Sequence, residues 1–256
     1  MDLTQPFDAA QFARLAGKAV EEIRTRARIP ILCGGTGLYF KAFLDGLGEA
    51  PPTDAALRSQ LEATPLPELL AELVAKDPKT YEKIDRQNAR RVVRAVEVLR
   101  LTGKPYSEQR AHWTAPTAQA GATATGTEGR LSIGLTRLSA DLQERINARV
   151  EKMFTNGLVA ETEKLLQHGL AGNRTAMQAL GYRQVVEHLR GLRSLPETVE
   201  LIKIRTRQFA KRQMTWFKKY GPGNWMNLSE QSLETSAGKI ITRFQSENSD
   251  CVNASP

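Results

Sequence analysis

Phe12, Leu15, Ala16, Ala19, Val20 and Ile23 recur at helical spacing and predict an amphipathic helix over roughly residues 8–26. The next apolar run, Ile29-Pro30-Ile31-Leu32-Cys33, is too short for a helix and predicts a buried strand. Gly34-Gly35-Thr36-Gly37 closes it, and residues 38–47 read as helix again. Helix, strand, glycine turn and helix in that order make one unit of a parallel α/β sheet.

Pro51-Pro52-Thr53-Asp54 breaks the pattern and offers an N-cap, so a helix is predicted to start near Ala55. Helical spacing continues to about Gly103, with Val92, Val93, Val96 and Leu99 set among basic residues. Residues 50–113 therefore read as a helical insertion that splits the α/β core between 1–49 and 130–226. Residues 114–129 are rich in Ala, Thr and Gly, lack periodicity and predict a flexible loop. A returning strand is predicted over 131–135. Leu142, Ile146, Val150 and Met153 mark a helix ending near Gly157, and a second ends at His168-Gly169. Tyr182, Val185, Val186 and Leu189 mark another. Residues 194–219 predict a long helix with Pro196 in its first turn, one apolar stripe through Ile202, Phe209 and Trp216, and one basic face. Residues 227–256 read as a polar tail that frays.

A length of 256 residues suits one α/β domain with an insertion, or two small domains. With 41% hydrophobic and 25% charged residues, the chain can bury a substantial core. No apolar run approaches membrane-spanning length, and Met1-Asp2-Leu3-Thr4 does not open a signal peptide. Cys33 and Cys251 lie far apart, and His112, His168 and His188 are scattered, which argues against a disulfide scaffold or structural zinc. A cytoplasmic, monomeric protein without membrane contact is expected. The net charge of +8 is concentrated in two places. Residues 86–104 hold six basic residues and one acid, and residues 203–219 hold seven basic residues and no acid. Such patches either attract a polyanion, nucleic acid above all, or are solvated helix faces.

Four segments carry candidate chemistry. Gly34-Gly35-Thr36 sits where a strand ends and a helix begins, the position where open α/β sheets bind ligands. It reads equally as a tight turn with no ligand. Arg145 and Arg149 are four apart on one helix, so two guanidinium groups could grip a diphosphate. The plainer alternative, solvent exposure or pairing with Asp141 and Glu144, is favoured. Gln178 to Gln184 brings Gly181, Tyr182 and Arg183 to a helix start, where a ring and a guanidinium plane can stack on unpaired bases. Tyr182 serves equally well in a core. Lys211-Arg212-Gln213-Met214-Thr215-Trp216-Phe217-Lys218 interleaves cations with aromatics. There Trp216 is expected to pack while Lys211, Arg212 and Lys218 reach phosphate. Neither Gly17-Lys18 nor Gly103-Lys104 completes a phosphate-binding P-loop pattern.

Taken in order, these segments resemble the tRNA dimethylallyltransferase family. The matching residues are Ile31 to Ala42, containing Gly34-Gly35-Thr36-Gly37-Leu38-Tyr39, then Pro51-Pro52-Thr53-Asp54 with Arg58, then Arg90 to Val98. Leu142 with Arg145, Ile146 and Arg149 follows, then Gly181-Tyr182-Arg183-Gln184, then Thr206 to Phe217. The resemblance runs from about Phe7 to Lys218. It implies an α/β, P-loop NTPase-like parallel sheet core, of the nucleotide- and ATP-binding kind, with a mostly helical insertion. It implies transfer of a dimethylallyl group from dimethylallyl diphosphate to N6 of adenosine-37, beside the tRNA anticodon, with Mg²⁺ as the accompanying ion. Thr36 would hydrogen-bond at the reacting centre and Arg149 would stabilise the diphosphate. Arg58, Arg90, Arg91, Arg94, Gln178, Gly181, Tyr182, Arg183, Lys211, Arg212, Gln213, Trp216 and Lys218 would hold the anticodon stem-loop.

One departure is large. The family opens with a P-loop and an Asp-Ser block that supplies the base, and neither is present here. The first residues, Asp2 to Phe12, resemble an interior stretch of the family. The expectation is a core lacking its first βαβ unit, with an exposed sheet edge and exposed apolar surface beside it. Such a chain is either a transferase whose activity is in doubt or a non-catalytic tRNA-binding remnant. An unrelated basic interaction protein is the remaining alternative.

Overall fold

The computed structural model describes residues 7–109, 131–173 and 175–253. His112, the loop expected over 114–129 and the family-like stretch before Phe7 lie outside the described residues. By packing, the chain divides into one unit made of Met1–Phe40 with Thr114–Pro256, and a second made of Lys41–Trp113.

The first unit opens with α1 (Ala9–Thr25), whose N-cap Asp8 accepts the Gln11 N–H at 2.8 Å. Ile29 to Cys33 is not the buried strand that its apolar composition predicts. It carries no strand pairing, and Ile31 is 87% exposed. A strand is held by ladder bonds to a neighbour, and among the described residues none runs beside this segment. The glycine turn then leads into α2 (Gly37–Leu44), within which the division between units falls.

The second unit is helical, as its spacing predicts. It contains α3 (Ala55–Ala63), α4 (Leu66–Lys76), α5 (Pro78–Lys83), α6 (Ala89–Thr102) and the short α7 (Tyr106–Gln109). Leu61, Leu69, Leu73, Val92, Val93, Ala95, Val96 and Leu99 form its core. Asp77 lies at the junction of α4 and α5. Its carboxylate accepts the Thr80 N–H at 3.1 Å, the Ser107 N–H at 2.9 Å and the Ser107 hydroxyl at 2.8 Å. Burial pushes the Asp77 carboxyl upward, but the hydrogen bonds from Thr80 and Ser107 outweigh it and hold the pKa below its ordinary value.

The first unit resumes with β1 (Gly134–Thr136), followed by α8 (Ser139–Thr155), α9 (Leu158–Gln167), α10 (Tyr182–Leu189) and α11 (Leu195–Tyr220). The chain then forms β2 (Trp225–Asn227), which pairs in parallel with β1, Gly134 opposite Trp225. A parallel pair needs a crossover, and α8 to α11 provide it. This small parallel sheet with its helical crossover is α/β in class. Val150, Leu158, Val185 and Ile202 form the core between those helices. Residues 227–256 do not simply fray, because α12 occupies Leu233–Asn253. Its seam is Ser236, Ile240 and Phe244 at four-residue spacing, too sparse in apolar residues to stand out in the sequence.

Asp77→Ala removes an N-cap and strands two Ser107 donors, so urea unfolding should show a loss of about 2 kcal/mol. Because the folded pKa is lowered, this contribution is complete above about pH 4 and disappears as pH falls further. Wild-type and variant stabilities should therefore converge in acid.

Candidate functional site

The site is built on α11. Ser194 caps it, its N–H donating to Glu197 at 2.9 Å while its hydroxyl accepts the Glu197 N–H. Gln213, Trp216, Phe217 and Tyr220 follow i, i+3, i+4, i+7 and share one face. That face meets the glycine turn. The Gln213 side-chain amide donates to the Gly35 carbonyl at 2.8 Å. Trp216 lies so close to Gly37 that a Cβ there would sit 2.1 Å from the indole ring. A Cβ at Gly35 would sit 2.4 Å from Gln213 Nε2. Phe217 packs edge-on to Phe40 at 6.1 Å, and Trp216 contacts both Phe217 and Tyr220. The absence of a side chain at 37 thus serves close approach by α11, while residue 35 supplies the carbonyl that Gln213 holds, a partner that the local sequence of the turn does not reveal.

Thr36 is held between these glycines and is exposed. Its carbonyl accepts the Tyr39 N–H at 2.9 Å and the Phe40 N–H at 3.3 Å, which starts α2. Its hydroxyl makes no hydrogen bond among the described residues. Lys211, Arg212 and Lys218 are exposed on α11. A groove of 510 Å³ runs along this helix, with Lys211, Arg212, Lys219, Trp216 and Tyr220 in its lining. Trp216 therefore packs, as its place in the apolar stripe predicts, while contributing to the groove wall. Lys219 and Tyr220 continue the groove past the segment singled out from sequence.

α8 packs along α11. Arg207 donates to Asn147 at 2.8 Å, and Lys203 pairs with Glu151 at 2.9 Å. On α8 the two candidate arginines part company. Arg145 is spent on Asp141 at 2.7 Å. Asp141 is also bonded by Ser229 and, at 2.8 Å, by Arg137. The Ser229 hydroxyl, then Arg137 and Arg145, hold its carboxyl well below the usual carboxylate range. Arg149 is exposed and forms no ion pair among the described residues, so its charge is available.

The segment from Gln178 to Gln184 is largely committed to its own fold. Gly181 has φ +114°, a conformation side chains rarely adopt, and its N–H donates to Gln184 Oε1 at 3.0 Å. Tyr182 donates its hydroxyl to Glu161 and packs against the core. That hydrogen bond, with burial, pushes the phenol up to about 12. Arg183 pairs with Glu187 at 3.1 Å. Gln178 is exposed at the end of the 3₁₀ turn Ala176–Gln178.

In the second unit Glu97 is fully buried. Arg94 reaches its Oε2 at 2.7 Å and Arg58 reaches the same oxygen at 3.3 Å. Arg94 also donates to the Pro51 carbonyl, and Arg58 to Thr53. The basic face of α6 therefore divides. Arg58 and Arg94 neutralise a buried acid, while Arg90 and Arg91 are exposed. Among the described residues no three His, Cys, Asp or Glu side chains converge on a position that could hold a metal.

The family model for IPP transferase matches residues 1–220. The chain is 40% identical over 233 residues to tRNA dimethylallyltransferase 1 of Trichlorobacter lovleyi, covering 90% of this chain and 74% of that protein. It is 39% identical over 253 residues to the tRNA dimethylallyltransferase of Carboxydothermus hydrogenoformans, covering 94% and 78%. The solved tRNA isopentenylpyrophosphate transferase of Bacillus halodurans superposes with a TM-score of 0.64 at 32% identity, over 98% of this chain and 77% of that one. A eukaryotic dimethylallyltransferase acting on tRNA shares the fold, with a TM-score of 0.69 at 23% identity, over 96% of this chain and 64% of that one.

Removing one cation from Glu97 leaves a buried carboxylate under-compensated. Arg94→Ala should cost about 3 kcal/mol in chemical unfolding, whereas Arg91→Ala should stay within about 0.5 kcal/mol. Equal losses would contradict this division of the basic face.

Proposed function

The chain belongs to the IPP transferase family of tRNA dimethylallyltransferases, and on that premise we propose that α11 and the glycine turn bring a tRNA anticodon stem-loop to the reacting centre. The enzyme is a prenyltransferase that modifies tRNA. The transferred group comes from dimethylallyl diphosphate and is joined to N6 of adenosine-37. The new bond runs from N6 to the dimethylallyl C1, the C1–O bond breaks, diphosphate leaves with the electron pair, and N6 gives up one proton to the departing diphosphate or to water.

This chemistry sets three demands. The base must leave its stack to expose N6, the amine needs a hydrogen-bonding partner, and the leaving diphosphate needs cations. Thr36 suits the second demand, since its hydroxyl is exposed and unengaged among the described residues. Arg149 suits the third, because its neighbour Arg145 is spent on Asp141 and it is not. Lys211, Arg212 and Lys218 bind stem-loop phosphates, with Gln213 and Trp216 beside them on the same helix. Arg90 and Arg91, exposed on α6, and Gln178, exposed before α10, are further candidate RNA contacts, whereas Arg58, Arg94, Gly181, Tyr182 and Arg183 shape the elements that carry them. The single observation that carries this reading is that one helix bears the exposed cations and also seats the turn containing Thr36. Mg²⁺ is the ion implied for a diphosphate substrate. The described residues offer no ligand cluster that fits it, so no step here runs through it.

Incubation with dimethylallyl diphosphate and an anticodon stem-loop should give prenylated RNA. Binding without product would leave a tRNA-binding protein, and no binding would remove the proposal. Lys211→Ala with Arg212→Ala should weaken stem-loop binding and reduce the slope of log affinity against log salt by about 1.5. Thr36→Ala should lower turnover about 10- to 100-fold while leaving RNA affinity in place.

A further inference from the structure

Gln213 sits between two exposed cations and a tryptophan, which by sequence makes it an RNA contact. Its geometry points elsewhere. The side chain is half-buried, and its amide is already donated to the Gly35 carbonyl at 2.8 Å. The Gly35 carbonyl and the Thr36 N–H and Cα belong to one rigid peptide plane. Fixing that oxygen therefore fixes where Thr36 begins. The peptide on the other side of Thr36 is fixed as well, through its carbonyl bonds from Tyr39 and Phe40. Thr36 is thus clamped at both flanking peptides, by α11 before it and by α2 after it. Trp216 against Gly37 closes the remaining freedom of the turn.

Lys211 and Arg212 precede Gln213 directly on the same helix, so their Cα positions are in fixed register with the clamp. We infer that Gln213 is a positioning residue, the strut through which RNA held by the α11 cations is kept in register with Thr36. This rests on the tRNA reading of α11. It departs from that reading in giving Gln213 no contact with RNA. Phosphates engaged by Lys211 and Arg212 hold α11, and the helix holds the turn through the Gln213–Gly35 bond. RNA binding should then quieten the backbone around Thr36.

The test uses the whole chain and a short anticodon stem-loop RNA. Gln213→Met keeps the length and apolar packing but removes the donor. Gln213→Leu likewise removes the donor and adds no charge beside Lys211 and Arg212. Thermal unfolding first establishes that each variant folds, and either folded variant suffices. In the wild type the stem-loop should slow amide hydrogen exchange across Gly34 to Tyr39. In Gln213→Met the affinity and its salt slope should match the wild type. Exchange across the turn should be about tenfold faster, and RNA should no longer slow it. Where turnover is measured, kcat should fall about tenfold with KM for RNA unchanged. Weaker RNA binding with a reduced salt slope would make Gln213 a contact and overturn the strut. Unchanged protection of the turn by RNA would also overturn it, with stem-loop recognition intact. Failure of the wild type to bind the stem-loop would overturn both readings.

Discussion

The contact on which the described site depends is the seating of one helix on one turn without side chains. Trp216 and Gln213 occupy the space that Cβ atoms at Gly37 and Gly35 would take. The placement of Thr36 and of the α11 cations follows from that contact. It leaves the Thr36 hydroxyl exposed, points the indole inward and keeps Lys211, Arg212 and Lys218 at the surface. The side chains at 213, 216, 217 and 220 lie on one stripe because the helix repeats every 3.6 residues. The cations occupy the positions that remain. A single helix can then face a backbone on one side and a polyanion on another.

Charge is distributed by a second rule, that a carboxylate, whether buried like Glu97 or accessible like Asp141, draws cations to itself. Glu97 takes up Arg58 and Arg94, and Asp141 takes up Arg137 and Arg145. The basic patches are therefore not uniform. Some arginines hold the fold together, and others, among them Arg149 and the α11 cations, keep their charge for a ligand. Only the second group should contribute strongly to salt-dependent binding.

Much of this was legible in the sequence. The helices around Leu142, Tyr182 and Ile202 could be read from their spacing, because each buries a stripe against its own neighbours, and α1 formed where its spacing placed it although none of its residues is fully buried. The turn at Gly34 to Gly37 and the cation–aromatic run at Lys211 to Lys218 were visible as separate features. Their contact was not, because Gln213 and Gly35 are brought together only by tertiary packing. The segment Ile29 to Cys33 misled because apolar composition reports a preference for burial, while a strand needs a neighbour. α12 was missed for the opposite reason, since its seam rests on Ser236, Ile240 and Phe244 rather than on a dense apolar repeat. The roles of Arg58, Arg94 and Arg145 were hidden because a sequence shows a charge but not its partner.

The seating of α11 requires that residue 37 carry no side chain. A double-mutant cycle with Gly37→Ala and Trp216→Ala, followed by chemical unfolding, tests it most directly. Gly37→Ala should be strongly destabilising alone and nearly neutral once the indole is gone, with a coupling energy of about 1–3 kcal/mol. Additive effects, within about 0.5 kcal/mol, would contradict it.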